Sequence, residues 1–518
     1  MTEPNEPQVI IVGAGPGGLC LAGELALAGI RVTVLERRGR GSRESRALGL
    51  QARTLELLAL RGLVAPFLER GNPVDHFRIT VGDTRIRLAK LDSDFRQVNI
   101  CPQYFIEQVL EQRATENGAE VRRGVRVLDV RQTGDTVAVR MRDANGTRTE
   151  RAAWVVGCDG PNSLTRDAVG IGFPGCKYPY HVMFADVRLR EQPPHGAYMR
   201  VTRRGLGIGF DFGDGRWRIG SLERLPLQPP GEVSLDELDA GLRRVFGHSL
   251  GPHDPLWTSR AVFRLGHATA YRRGRVLLLG DAAHVQSPLG GQGLNLTLQD
   301  ALNLGWKLAA VASGRAGDDL LDTYELERRS VATKVLRVTD RGMRLLMSGK
   351  LPQRALRRVL LPTLTSIPPV HDKIAGYLSG VGFSYPLPRT VSRARAGALA
   401  GSRLPNAVVR LTNGDDVRLY DQFVSGRFVL VDQSGGRLAA ACGPWQDRVV
   451  VLDGRVQERP DLAAYEGILG RPDGYCAWAG SADPGALQAA LGFWCGVLTD
   501  ATAPAVPKTF DVTTAAEG

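Results

Sequence analysis

Two short unbroken hydrophobic runs, each ending on glycine, stand out from the alternation of polar and apolar positions along the chain. Val9-Ile10-Ile11-Val12 leads into Gly13, and Val276-Leu277-Leu278-Leu279 leads into Gly280. Runs of this length, bounded by glycine, predict buried strands. After the first, Leu19, Ala22, Leu25 and Ala26 recur at helical spacing up to Gly29, and the stretch 31–35 predicts a second strand ending at Glu36. After the second run, Leu294, Leu298, Ala301, Leu302 and Leu308 fall at i, i+4, i+7, i+8 and i+14, with Gln299, Asp300, Asn303 and Lys307 in the gaps. That period predicts a helix whose N-terminus points at the turn 288–293.

Between these landmarks the period changes. Stretches 125–130 and 137–141 alternate around Gly134-Asp135 and predict a hairpin. Trp154-Val155-Val156-Gly157-Cys158-Asp159-Gly160 predicts another strand ending in an acid and a glycine. Stretches 181–189, 197–202, 206–212 and 217–222 alternate between glycine and proline clusters, which predicts an antiparallel sheet. Tyr178, Tyr180, Phe210, Phe212 and Trp217 lie in this sheet region as candidates to line a pocket. A long, highly charged helical stretch covers 318–346, and the proline-rich segment 352–388 reads as a transition between domains. Strand-like runs alternate with helical ones from about residue 396 onward.

Chemistry enters at the glycine turns. Gly13-Ala14-Gly15-Pro16-Gly17-Gly18 is G-x-G-x-x-G after a strand and at the head of a helix. Gly13, Gly15, Gly17 and Gly18, with Pro16 at the helix start, would admit a pyrophosphate to the helix N-terminus. Glu36, followed by Arg37, falls where an acid binds an adenosine ribose. The unit points to a dinucleotide and does not by itself separate NAD from FAD. At the other turn, Asp281 at a strand end can accept hydrogen bonds from a polyol such as a ribityl chain. Pro288, Gly290, Gly291 and Gly293 let backbone approach a flat ring, and free N–H groups at the helix start would offset negative charge on a reduced flavin. Three further residues are candidates. Arg46 could reach phosphates or the ring edge, Gln103 could bond a polyol, and Asp159 could support the pyrophosphate region or pin the first glycine loop. No catalytic base is assigned. His284 has a suitable side chain, yet it sits three residues past Asp281, where it can simply pack.

Bulk properties narrow the classes. The net charge is +12, but the basic residues are 59 Arg and seven Lys in short, scattered clusters, which does not describe a nucleic-acid groove. Seven cysteines with no C-x-x-C pair predict reduced thiols in a cytoplasmic protein without a zinc site. The first residues lack the basic and apolar regions of a signal peptide, and no run approaches the ~18 apolar residues of a membrane span. The expectation is a protein with a small-molecule partner, no nucleic acid and no membrane, as a monomer or homo-oligomer.

Segments 13–18, 157–166 and 280–295 together resemble the three fingerprints of the flavoprotein aromatic hydroxylases, the class A flavin monooxygenases typified by para-hydroxybenzoate hydroxylase. The run 45–58 and the closing Arg471-Pro472-Asp473-Gly474-Tyr475-Cys476-Ala477-Trp478 resemble the branch acting on aromatic polyketides and on rifampicin. The resemblance implies an α/β architecture. A Rossmann-like FAD-binding domain would occupy 1–175 and 271–395, with an antiparallel β-sheet substrate domain at 176–270 and a thioredoxin-like C-terminal domain at 396–518. It implies FAD at Glu36, Arg46, Gln103, Val127 through its backbone, Asp281, Leu294 and Asn295. It also implies NADPH or NADH as a transient reductant, O₂, and a flavin C4a-hydroperoxide that hydroxylates a phenolic, polycyclic substrate. A Baeyer–Villiger or ring-opening oxygenase would share every cofactor residue, and an inactive flavoprotein serving as an assembly partner is a third reading. Gln286-Ser287 and Leu289 depart from the branch, which often has His-Pro and Thr there. Leu289 is therefore a candidate for substrate fit.

Overall fold

The computed structural model describes residues 7–41, 47–81, 84–193, 197–226, 228–348 and 350–496. Its first sheet has six strands in the order Arg272–Arg273, Val276–Leu278, Trp154–Gly157, Val9–Val12, Val32–Glu36 and Glu120–Arg123. All neighbours run parallel except the first pair. Val9 and Ile11 face helix Pro16–Leu27, while Ile10, Val12 and Val276 face a three-stranded antiparallel sheet of Arg126–Thr133, Thr136–Asp143 and Gly146–Ala152, which is why Val9–Val12 and Val276–Leu278 are buried at every position. Val12 lies opposite Leu35 on one side and Gly157 on the other, so Gly13, Glu36 and Cys158 emerge at the same sheet edge. Ligands of open α/β sheets bind outside that edge.

Two glycines explain how closely the chain closes up there. Gly13 has φ +106°, and a Cβ on it would lie 2.5 Å from the Cys158 carbonyl oxygen. A Cβ on Gly17 would lie 2.4 Å from the Thr297 methyl, so the helix Pro16–Leu27 can pack directly on the helix Gln292–Ala312. The N-terminal half of the chain thus supplies one glycine turn, and residues 276–312 return to the same sheet with the other.

The second large sheet has seven strands: Pro252–Ala261, His181–Leu189, Trp217–Glu223, Gly205–Asp211, Ala197–Val201, His76–Ile79 and Thr84–Arg87. The last two come from far earlier in the chain than the 176–270 stretch. Helix Leu235–Phe246 covers one face, packing Leu238, Leu242, Val245 and Phe246 on Met183, Ala185, Val187, Trp217 and Ile219. Val182, Leu206, Ile208 and Leu222 point the other way and meet Met343 and Met347 of the helix Ser330–Met347. Strand alternation alone makes this division.

The segment 352–388 holds two helices, Leu351–Ser366 and Pro368–Ser379, ahead of the C-terminal sheet. Prolines stand at the first positions of both, where a missing N–H costs nothing. The stretch 318–346 is helical but changes pitch. A 3₁₀ turn, Asp318–Leu321, and a π turn, Glu325–Arg329, precede the α-helix Ser330–Met347.

The C-terminal part forms a mixed six-stranded sheet ordered Asp416–Arg418, Val408–Leu411, Val449–Val456, Phe428–Asp432, Gly467–Gly470 and Cys476–Gly480. Buried ions join it to the rest of the chain. Arg471 Nη1 and Nη2 donate to both Glu327 carboxylate oxygens at 2.6 and 2.9 Å, and Lys307 Nζ donates to Glu327 Oε2 at 2.7 Å. Arg471 also holds Asp473 at 2.6 Å, and all four side chains are at most 2% exposed.

Burial raises the Glu327 carboxyl, but Arg471 and Lys307 outweigh it and hold the group below its ordinary 4.5. Asp300 is likewise held below its ordinary 3.8, because Arg328 and His284 overcome its desolvation. A depressed carboxylate contributes stability that is full above its unfolded value and is lost as pH falls below it. Lys307 acts on the alkaline side. Burial draws it down to about 8, so between there and 10.5 the unfolded chain holds more protons and this group's contribution rises with pH. Thermal melting followed downward from about pH 6 is therefore expected to show a steep loss of stability below pH 4.5, shallower in Glu327→Gln.

Candidate cofactor and substrate site

The first glycine turn leaves a gap of the right kind. A Cβ on Gly15 would meet nothing within 4 Å, whereas one on Gly18 would lie 2.0 Å from the Gly13 carbonyl oxygen. Gly18 therefore makes the turn, and Gly15 leaves the approach to the N-terminus of Pro16–Leu27 unobstructed. Glu36 is held by backbone: Oε2 accepts from the Ala14 N–H and Oε1 from the Arg38 N–H, both at 2.9 Å. The carboxylate keeps lone pairs for a ribose hydroxyl beside the turn. Arg37 is exposed next to it.

Asp159 looks back at its own chain. It accepts from Ser163 Oγ, from the Thr165 N–H at 2.9 Å and from Thr165 Oγ1 at 3.1 Å, and so fixes the start of helix Leu164–Ala168. These partners all lie at 163–165, so the side chain serves its own helix start and not the first glycine loop. Gln103 Oε1 accepts from the Ala47 N–H at 2.9 Å, and Nε2 donates to Glu107 at 2.8 Å. Val127 lies half-buried in the strand Arg126–Thr133, opposite Met141. Arg46 lies outside the described residues.

At the second turn Gly280 takes φ +61° and opens a single 3₁₀ turn, Gly280–Ala282, that exposes Asp281. Pro288 accepts from the Gly291 N–H at 3.0 Å, and Gly290 and Gly291 take φ +80° and +62°. Gly291 supplies no capping side chain, and a Cβ on it would meet nothing within 4 Å. The free N–H groups of the first turn, including Gly293 and Leu294, are the unsatisfied donors of a helix start. Asn295 does something the sequence did not predict. Its Oδ1 accepts from the Gln51 N–H at 2.9 Å, and its Nδ2 donates to the Gly49 and Gly291 carbonyls at 2.8 and 2.9 Å. The side chain staples the turn to the strand Gly49–Leu50.

The donor set fits a flavin nucleotide. Both glycine turns keep open space at the positions a pyrophosphate and a flat ring require, and buried polar atoms around the second turn lack protein partners. Gln51 Oε1, Gln292 Oε1 and both amide atoms of Gln286 are in that state. An unmet buried amide atom costs about 1–3 kcal/mol, so such a cluster marks groups whose partner is a bound molecule.

On the substrate side, Tyr178 and Leu289 share an apolar cluster with Leu206, Ile208, Met343 and Met347. Tyr178 donates to Asp340 Oδ1 at 2.8 Å and stacks on Tyr180, and burial together with Asp340 pushes its phenol well up. Leu289 leans on the helix Ser330–Met347: a Cβ on Gly342 would lie 2.6 Å from its Cδ2. Phe210 and Phe212 pack in a neighbouring cluster with Phe77, Ile374 and Leu378. Trp217 needs correction. It is 2% exposed on the opposite face, under helix Leu235–Phe246, because strand alternation sends it there with Ile219. Sequence reasoning missed Met343, Met347, Leu206 and Ile208, whose spacing signals only a buried face.

Residues 6–339 match the family model described as FAD binding domain, and residues 397–497 match aromatic-ring hydroxylase, C-terminal. The chain belongs to the FAD-binding aromatic-ring hydroxylases. Within that family it is similar to the rifampicin monooxygenase of Streptomyces venezuelae, 38% identical over 95% of this chain and 99% of that one. It is also similar to the 12-dehydrotetracycline 5-monooxygenase/anhydrotetracycline 6-monooxygenase of Streptomyces rimosus, 36% identical over 94% and 98%. Among solved structures, the OxyS anhydrotetracycline hydroxylase from Streptomyces rimosus superposes with a TM-score of 0.85 at 35% identity, covering 95% of this chain and all of that one. Membership in the hydroxylase family makes FAD the cofactor and oxygenation the reaction class. No helix among the described residues is long and apolar enough to cross a membrane.

Proposed function

We propose that this hydroxylase consumes NADPH or NADH to hydroxylate a phenolic, polycyclic polyketide-type substrate, with oxygen delivered from a flavin C4a-hydroperoxide. The observation that carries the reading is the apolar cluster of Leu206, Ile208, Leu222, Met343, Met347 and Leu289. It stands against the turn 288–293 on the sheet face that helix Leu235–Phe246 leaves uncovered. A broad apolar wall beside a ring-binding turn suits a large flat substrate and keeps water from the reacting centre. The names of two relatives carry rifampicin and anhydrotetracycline as the compounds they oxygenate.

The bound flavin supplies the redox and oxygen-transfer chemistry. The chain positions it. Glu36 would accept from the ribose, the turn at Gly15 would admit the pyrophosphate, and Asp281 would accept from the ribityl hydroxyls. The first N–H groups of helix Gln292–Ala312 would offset negative charge on the ring when it is reduced. Tyr178, anchored to Asp340, is the polar handle on the substrate wall.

The test is oxidation of NADPH and of NADH by the flavin-loaded protein, with peroxide release followed, in the presence and absence of a panel of polycyclic phenols. A coupled hydroxylase oxidises the reductant faster with a suitable phenol while peroxide stays low. Reductant consumption that no phenol accelerates, or that ends wholly in peroxide, would count against the proposal.

A further inference from the structure

The π turn Glu325–Arg329 joins two things that neither the sheet nor the glycine turns require to be joined. Glu327 and Arg328 are consecutive and both at most 1% exposed, yet they serve different ends of the molecule. Glu327 receives the C-terminal Arg471 in a bidentate pair. Arg328 Nε donates to Asp300 Oδ1 at 2.6 Å. Asp300 Oδ2 in turn accepts from the Gly280 N–H at 3.3 Å and faces His284 Nε2 at 2.7 Å. An ionised carboxylate only accepts, so Nε2 carries the proton. Asp300 therefore grips both ends of the segment 280–284, the one that presents Asp281.

We infer that Arg471, Glu327, Arg328 and Asp300 form a positioning relay through which the C-terminal domain sets the geometry of the Asp281 turn, and with it FAD affinity. The relay rests on the reading that the Asp281 turn holds FAD. Glu327 and Arg328 both lean on the helix Gln292–Ala312, Glu327 through Asn303 and Lys307 and Arg328 through Asp300 and the Leu296 carbonyl. A shift of the π turn therefore moves both sets of contacts.

Two more contacts tie the same turn to the flavin segment. Tyr324, just before it, donates to the Leu278 carbonyl at 2.9 Å, and Glu325 accepts from the Tyr271 N–H at 2.9 Å, so the strand feeding Gly280 is held as well. A second route runs from the C-terminal loop. Tyr475 stacks on Tyr385 at 3.9 Å, and the Tyr385 hydroxyl accepts from Arg328 Nη1 at 3.1 Å. Three cations, Arg471, Lys307 and Arg328, balance three anions, Glu327, Asp473 and Asp300. Plain domain adhesion needs only the Arg471 half of this arrangement. The Asp300 half ends on the backbone N–H adjacent to Asp281. π turns of this kind recur at functional sites.

The experiment titrates FAD into apo-protein, by flavin fluorescence quenching, for wild type, Arg471→Met, Arg471→Lys, Asp300→Asn, the Arg471→Met/Asp300→Asn double variant and Leu487→Ala. Leu487 is fully buried in the C-terminal domain and its apolar side chain can make no ion pair or hydrogen bond with the relay, so its variant controls for simple destabilisation. Melting temperatures are recorded alongside. Arg471→Met is expected to weaken FAD about tenfold, within the range of coupling between distant sites, while Leu487→Ala leaves affinity within about twofold. The double variant should bind no worse than Asp300→Asn alone, since both break one chain of contacts. Arg471→Lys, which keeps the charge and loses the bidentate fork, stands in if Arg471→Met does not fold, and should weaken FAD several-fold. Equal affinity loss in Leu487→Ala, or full multiplication of the two single effects, would overturn the relay. Failure of the wild type to take up FAD would instead overturn the flavin reading beneath it.

Discussion

Replacing Gly15 with valine is expected to leave a folded protein that binds FAD at least about a hundredfold more weakly, a loss of roughly 2.7 kcal/mol. Gly15 sits at φ −76°, where any residue is at ease, and its missing Cβ faces open space, so the substitution costs the fold only a weaker helix cap. The new side chain occupies the approach to the helix N-terminus instead. Gly18→Ala is the counterpart, because its Cβ would collide with the Gly13 carbonyl and break the turn with or without ligand. Circular dichroism of the two apo-proteins followed by flavin titration separates the effects. A Gly15→Val protein that retains full affinity would show that the pyrophosphate does not pass this turn.

The second large effect belongs to the buried ions. Glu327→Ala leaves Arg471 and Lys307 without the carboxylate between them, and removing one partner of such a pair costs about 3–5 kcal/mol. Trp306 and Trp494 lie 5.3 and 4.8 Å from the Arg471 guanidinium, so urea unfolding followed by tryptophan fluorescence reports on the right place. The unfolding midpoint should fall sharply in Glu327→Ala and less in Glu327→Gln, whose amide still accepts from Lys307. A loss under about 1 kcal/mol would mean that water or a neighbouring group replaces the missing charge.

The cofactor side of this molecule was legible in sequence for a physical reason. A strand, a glycine turn and a helix are contiguous, so Val9 to Glu36 and Val276 to Leu308 carried their geometry in local spacing. The strands of the substrate sheet were legible too, through alternation, but their facing was not. Trp217 and Leu222 read alike in sequence, and only the position of helix Leu235–Phe246 decides that one supports and the other lines. Strands His76–Ile79 and Thr84–Arg87 joined that sheet from a distance no periodicity could reveal. The prolines at 352 and 368 read as breaks because a proline marks a helix start as readily as a helix stop. Asn295 was singled out for the cofactor, yet its side chain is spent on Gln51, Gly49 and Gly291. The ion network was hardest to see, since its members lie as far apart as residues 300 and 473 and each resembles an ordinary surface charge.

The fate of molecular oxygen tests the proposed hydroxylation directly. The flavin-loaded protein is turned over with NADPH and the best polycyclic phenol under ¹⁸O₂, and the product mass is measured. The expected product carries one labelled oxygen on the ring, with its carbon skeleton unchanged. A product with no label, or label only in released peroxide, would contradict the proposed hydroxylation.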